Sequence, residues 1–173
     1  MMIQYTATQG LSSFSILIIQ CLLILCDTAI MTLSTPLLLI TADPSHPLAY
    51  LALRYARAYL QNASLADNAP NSTNHENSVL NIFFYADAAH TANRLRWQSA
   101  DQSNITQEWQ ALAAQYNLVL PVCVSTALSR GISDTDNSSR HQLETENLAT
   151  GFKLVGLSEL AMMMQGDCRL LQF

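Results

Sequence analysis

Five short apolar runs, separated by stretches of helical spacing or polar turns, constrain this 173-residue chain more than any other feature. Leu37–Ile40, after Pro36, contains no polar residue and is too short for a helix, so it predicts a central strand buried on both faces. Val79–Tyr85 and Leu118–Val122 predict two more, Phe152–Val155 a short fourth, and Arg169–Phe173 a fifth that closes the chain. Between them Leu48, Leu51, Ala52, Tyr55 and Tyr59 recur at helical intervals, with Arg54 and Arg57 on the polar side. Trp109, Leu112, Ala113 and Tyr116 share one helical face, and Val124–Arg130 is a helical pattern stopped by Gly131. Gly156 opens a last helix that runs through Met164 and stops at Gly166. Strands alternating with helices predict an α/β fold, a three-layer α/β/α sandwich around a mainly parallel five-stranded sheet.

The connecting segments read from turn chemistry. Asn62–Ser78 is rich in Asn, Ser and Asp and predicts a mobile loop in which His75 is solvated. Asp87 is expected to cap a short helix through Leu95. Ser99–Asn104 and Ser133–His141 read as loops, and Leu143–Leu148 as a helical turn. Trp109 is expected in the core and Trp97 in a loop or interface, while Met162, Met163 and Met164 include core positions.

Residues 1–30 stand apart from the domain expected over 31–173. Phe14–Cys26 is almost wholly apolar, but no Lys or Arg occurs before Arg54, which disfavours a secretory signal. The run is also shorter than the ~20 apolar residues a spanning helix needs. The expectation is that this extension lies upstream of a start at Met31 and that no membrane is engaged; the alternative is a small α/β binding domain tethered to the membrane by Leu17–Leu25. The net charge is −5, and the 8 basic residues are scattered instead of forming a stripe, so direct nucleic-acid binding is not expected. Cys21, Cys26, Cys123 and Cys168 show neither metal-ligand spacing nor a disulfide framework. A cytoplasmic location is expected.

Several chemistries are excluded by what the turns lack. The first strand-to-helix turn, Asp43-Pro44-Ser45-His46-Pro47, has no glycine and cannot be a phosphate-cradling loop. No Gly-x-Ser-x-Gly elbow and no zinc-binding His-Glu pattern occurs, so no metal or organic cofactor is expected. Cysteine chemistry remains. Cys123 follows the run Leu118–Val122 and precedes a helix, a junction that faces the crevice where open α/β sheets bind ligands. Free backbone N–H groups there favour a thiolate nucleophile, and a buried structural cysteine is the alternative. His90, after the second strand, is either an electrostatic or proton-transfer helper or a surface residue. Asn93 is a candidate to bond backbone near the site. Arg130, two turns along, is too far to pair with the thiolate and reads as a structural cap or subunit contact. Cys168 either resolves a disulfide with Cys123 or packs at the start of the last strand. Asp43 and His46 either line the pocket or simply form a turn.

From Met31 onward the chain resembles the DsrE/TusD family of sulfur-relay proteins. The resemblance rests on Asn81-Ile82-Phe83-Phe84-Tyr85 with Ala92-Asn93-Arg94-Leu95, and on Cys123-Val-Ser-Thr-Ala127-Leu-Ser-Arg130-Gly131. It continues through Asn147-Leu148, Gly151-Phe152-Lys153-Leu154, Gly156-Leu157 and the ending Asp167-Cys168-Arg169-Leu170-Leu171-Gln172-Phe173. The resemblance implies a DsrE-like fold and a sulfurtransferase in which Cys123 accepts a sulfane sulfur as a persulfide and hands it on for 2-thiolation of a tRNA wobble uridine. It implies TusB-like and TusC-like partners in a heterohexamer, a TusA-like donor and a TusE-like acceptor. The readings that stay open beside it are a non-catalytic scaffold subunit, in which Cys123 is buried and inert, and a sulfur-oxidation relay.

Overall fold

The apolar runs become strands because only a sheet closed by helices satisfies their backbone while burying both of their faces. The computed structural model describes residues 35–67 and 80–173. The expectations for residues 1–30, for Cys21, Cys26 and His75, for 68–78 of the long loop and for Val79 of the second strand lie outside the described residues. Strands β1 (Thr35–Ile40), β2 (Asn81–Phe84), β3 (Leu120–Cys123), β4 (Phe152–Val155) and β5 (Cys168–Gln172) form one sheet in the order β4-β3-β2-β1-β5. Every pairing is parallel, with Ile40 beside Phe84, Phe84 beside Val122, Cys123 beside Val155 and Thr35 beside Cys168. The expected mainly parallel sheet is thus parallel throughout the described residues.

Alternation along the strands sorts their side chains onto two faces. Leu38, Ile40, Ile82, Phe84, Leu120, Val122 and Phe152 point into the larger core. Helices α1 (Pro47–Asp67) and α2 (Ile105–Tyr116) cover it with Leu53, Leu60, Trp109 and Leu112. Phe84 meets Trp109 edge-on at 5.4 Å and Phe152 at 5.4 Å, contacts each worth about 1 kcal/mol beyond the area they bury. Leu37, Phe83 and Cys123 point to the opposite face, where α5 (Leu157–Met163) supplies Leu160 and Met163. The second helical layer is therefore present but thin among the described residues.

Local chemistry explains most boundaries. Asn104 accepts hydrogen bonds from the N–H groups of Thr106 and Gln107 and caps α2, a contribution of about 1 kcal/mol. Pro47 begins α1, where its missing N–H costs nothing, and the Leu48 N–H donates to His46 Nδ1. The Arg57–Glu108 ion pair, 2.6 Å, links α1 to α2 at the surface.

Several expectations are corrected. Residues 62–67 continue α1 instead of starting a loop, because Ala63, Leu65 and Ala66 are good helix formers. The second strand spans only Asn81–Phe84, and the third starts at Leu120, since Asn117 in the left-handed conformation ends α2 and leaves Val119 exposed. Asp87 is no cap. The helix after β2 is a 3-10 helix over Ala86–Ala92 with Tyr85 at its N-cap, and Asp87 turns outward to Arg130. Ser133–His141 contains a short helix, α4 (Thr135–Arg140), because the Asp134 carboxylate accepts from the Asn137 N–H. Leu143–Leu148 is not helical; Leu148 bridges Asn93 in antiparallel fashion, and the Asn147 and Leu148 N–H groups both donate to the Ser133 carbonyl. No residue of α5 is fully buried, so Met162 and Met164 are surface residues and Met163 is partly buried. Trp109 is in the core and Trp97 is exposed, as expected.

Candidate active site

The helices that follow β1, β2 and β3 lie on the larger-core side, where α1, the 3-10 helix, α2 and α3 (Val124–Leu128) contribute buried residues. The connection after β4 goes the other way, into α5. Neighbouring strands β3 and β4 therefore send their chains to opposite faces, and the crevice between their carboxyl ends is the topological switch point of the sheet. Cys123 stands there as the last residue of β3 and the N-cap of α3, directly beside Val155 at the end of β4. Gly131, in the left-handed region at φ 71°, turns the chain after α3.

The thiol is not open to solvent: Cys123 is 1% exposed. It shares its cluster with Leu37 and Phe83, and Leu39, Tyr85, Val155, Leu160, Met163 and Cys168 pack around that cluster. The expected exposed nucleophile is thus corrected to a buried one, because the side chain alternates onto the face that α5 covers. A groove of about 340 Å³ runs beneath α5, lined by Asn81, Pro121, Lys153, Val155, Glu159 and Met163 among others. Pro121 is the same-face neighbour of Cys123 along β3, and Val155 is its cross-strand partner. Cys123 itself is not among the residues that line the groove.

The other predicted residues separate. No hydrogen bond joins His90 or Asn93 to Cys123 among the described residues. The Asn93 side chain accepts from the Leu95 N–H and shapes its own turn. His90 lies within electrostatic range of Asp43 in the β1–α1 turn. Burial raises the Asp43 pKa, but hydrogen bonds from Ser45 and the charges of His90 and Arg96 outweigh it and hold the carboxyl below its ordinary value. Asp43 and His46 form and cap a turn. Arg130 is the structural cap the sequence suggested, bonding the Thr126 carbonyl at 3.2 Å and the Asp87 carboxylate at 2.6 Å.

Cys168 is the first residue of β5, opposite Thr35 at the amino end of the sheet. Three strand spacings and six residue levels separate it from Cys123, a distance of roughly 25 Å on standard sheet dimensions. A Cys123–Cys168 disulfide is geometrically excluded in this fold. No group of three or more His, Cys, Asp or Glu residues that could hold a metal ion occurs among the described residues. No helix among them is long and apolar enough to cross a membrane.

Sequence reasoning missed residues that pack around the Cys123 cluster, Tyr85, Val155, Leu160 and Met163, and the partner of Arg130. The period-two alternation of β3 was the available signal: it puts Cys123 opposite in facing to Val122, away from the main core.

Comparison with known proteins matches the chemistry to a family. The profile of the DsrE/DsrF-like family matches residues 37–173. The sulfurtransferase TusD homolog of Aliivibrio fischeri is 38% identical over 96 residues, covering 56% of this chain and 74% of that protein. Sulfurtransferase TusD of Erwinia tasmaniensis is 40% identical over 96 residues, covering 56% and 75%. The crystal structure of the ychN protein from E. coli superposes with a TM-score of 0.58 at 20% identity, covering 81% of this chain and 99% of that one, a likeness of fold.

Proposed function

The chain belongs to the DsrE/DsrF-like family and is a sulfurtransferase, and we propose that Cys123 carries the sulfur. The observation that carries this reading is the position of Cys123 at the β3/β4 switch point. In the proposed step the Cys123 thiolate attacks the outer sulfur of a donor persulfide. The donor's S–S bond breaks, its electron pair leaves on the donor thiolate, and a new S–S bond forms on Cys123. The exchange conserves electrons and needs no cofactor. The second half repeats it in reverse role, with an acceptor thiol attacking the outer sulfur and Cys123 leaving as thiolate.

Both halves need the thiol to be reached, so Leu160 and Met163 of α5 must move aside. Local stability favours that movement, since α5 has seven residues and none is fully buried. The relatives named sulfurtransferase TusD support transfer of sulfur, and the relay proposed for it ends in 2-thiolation of a tRNA wobble uridine. On this reading the chain works in the cytoplasm with TusB-like and TusC-like partners in a heterohexamer, a TusA-like donor and a TusE-like acceptor. The scattered basic residues and net charge of −5 support protein-to-protein transfer without direct RNA contact.

One observation favours a second reading. The 1% exposure of Cys123 suits an inert structural cysteine in a non-catalytic subunit. Intact mass after incubation with a persulfide-loaded TusA-like donor, for wild type and Cys123→Ser, separates the two. The carrier reading expects the wild type alone to gain one reductant-labile sulfur on this pathway. Equal behaviour of the two proteins selects the scaffold.

A further inference from the structure

We infer that the Asp87–Arg130 ion pair is a positioning device for Cys123, an inference that rests on Cys123 being the sulfur acceptor. A chain of hydrogen bonds connects them. The Thr126 hydroxyl donates to the Cys123 carbonyl at 3.1 Å, and the Thr126 carbonyl accepts from Arg130 Nη1 at 3.2 Å. Arg130 then donates from Nε and Nη2 to one Asp87 carboxylate oxygen, at 3.2 and 2.6 Å. Nη1 also lies 3.3 Å from the Ser129 hydroxyl.

The two ends of this chain sit on neighbouring strands. Asp87 is in the first turn of the 3-10 helix that follows β2, and Cys123 caps the helix that follows β3. Phe84 and Val122, just before those ends, are paired in the sheet. Helix α3 has only five residues, too few to hold a helical turn by its own hydrogen bonds. Strand β3 fixes the face that the Cys123 side chain takes and Ala127 anchors α3 in the core, so what the tie adds is the placement of the first turn of α3 against the Cys123 backbone that caps it. The guanidinium supplies that tie in two directions at once, to the carbonyl inside α3 and to the carboxylate outside it. A lysine ammonium has no planar fork with which to do the same.

The pair contributes little to overall stability. The Asp87 side chain is 61% exposed and that of Arg130 25%, the setting in which ion pairs are worth the least. Its consequence is geometric, and an attack on a disulfide-like S–S bond depends steeply on alignment.

The test is the rate of sulfur uptake from glutathione persulfide over a range of concentrations, followed by intact mass, with the thermal midpoint measured alongside. Asp87→Asn and Arg130→Met are each expected to lower the limiting rate about tenfold. The half-saturating concentration and thermal midpoint should stay near wild type. The double variant should be no slower than either single one, because both break the same tie. Arg130→Lys should not restore the rate. The inference is overturned if both single variants keep limiting rates within about twofold of wild type, or if their losses multiply in the double variant. Should Arg130→Met fail to fold, Asp87→Asn decides alone, since its side chain is solvent-exposed and nearly the same size. Cys123→Ser is run in parallel: if it takes up sulfur as wild type does, the carrier reading itself falls, and this inference with it.

Discussion

Cys123 and Cys168 illustrate how little a residue's identity says without its register. Both are cysteines at strand ends, yet one closes β3 at the carboxyl edge of the sheet and the other opens β5 at the amino edge. Cys168→Ser is therefore expected to leave sulfur uptake unchanged, and mild oxidation of the wild type should yield no peptide joining the two cysteines. Finding that cross-link by mass spectrometry would contradict the register described here. The position of Cys123 was legible in the sequence, because an apolar run followed by a helical pattern fixes a junction. Its burial was not. Facing follows from the parity of the residue within the strand, but whether that face is covered depends on the helix after β4, whose placement needs the strand order. His90 and Asn93 were picked for their place in the chain, but their surroundings depend on tertiary packing. One faces Asp43 electrostatically and the other bonds its own turn.

Helix α5 is the element whose behaviour matters most to the site. From Val155 at the top of β4 to Cys168 at the bottom of β5 it must cross four strand spacings and about six residue levels, roughly 28 Å by standard dimensions. A seven-residue helix and its short flanks barely span that, so α5 lies as a diagonal strap over the Cys123 face. It carries apolar side chains on both sides: Leu160 and Met163 reach the cluster, while Leu157, Met162 and Met164 remain exposed. Leu160→Ala or Met163→Ala is expected to speed alkylation of Cys123 by iodoacetamide about fivefold, the factor that ~1 kcal/mol of lost local stability gives. An unchanged rate would mean that access does not run through α5. The sequence signalled this helix by Gly156 and Gly166, but its triple methionine suggested core positions. The crossing geometry, which forces one face outward, cannot be seen without the strand order.

At the scale of the molecule, the sheet was legible because five apolar runs with helical stretches between them leave few alternatives to a parallel α/β sandwich. The strand order β4-β3-β2-β1-β5 was not, and it is the order that creates a switch point between β3 and β4. Polar segments misled in both directions: Asp134 nucleates a helix in a stretch that composition marked as loop, and the Asn93–Leu148 bridge straightens one that spacing marked as helical. The result is a scaffold that places a single described cysteine at the switch point of its sheet, sheltered by one short helix. The most direct test is to locate the transferred sulfur. After incubation with a persulfide donor, the protein is digested without reduction, its persulfides having been trapped by alkylation, and each cysteine peptide is weighed. Added sulfur on the Cys123 peptide is the predicted result; added sulfur confined to Cys21, Cys26 or Cys168, or found on none of the four, would contradict it.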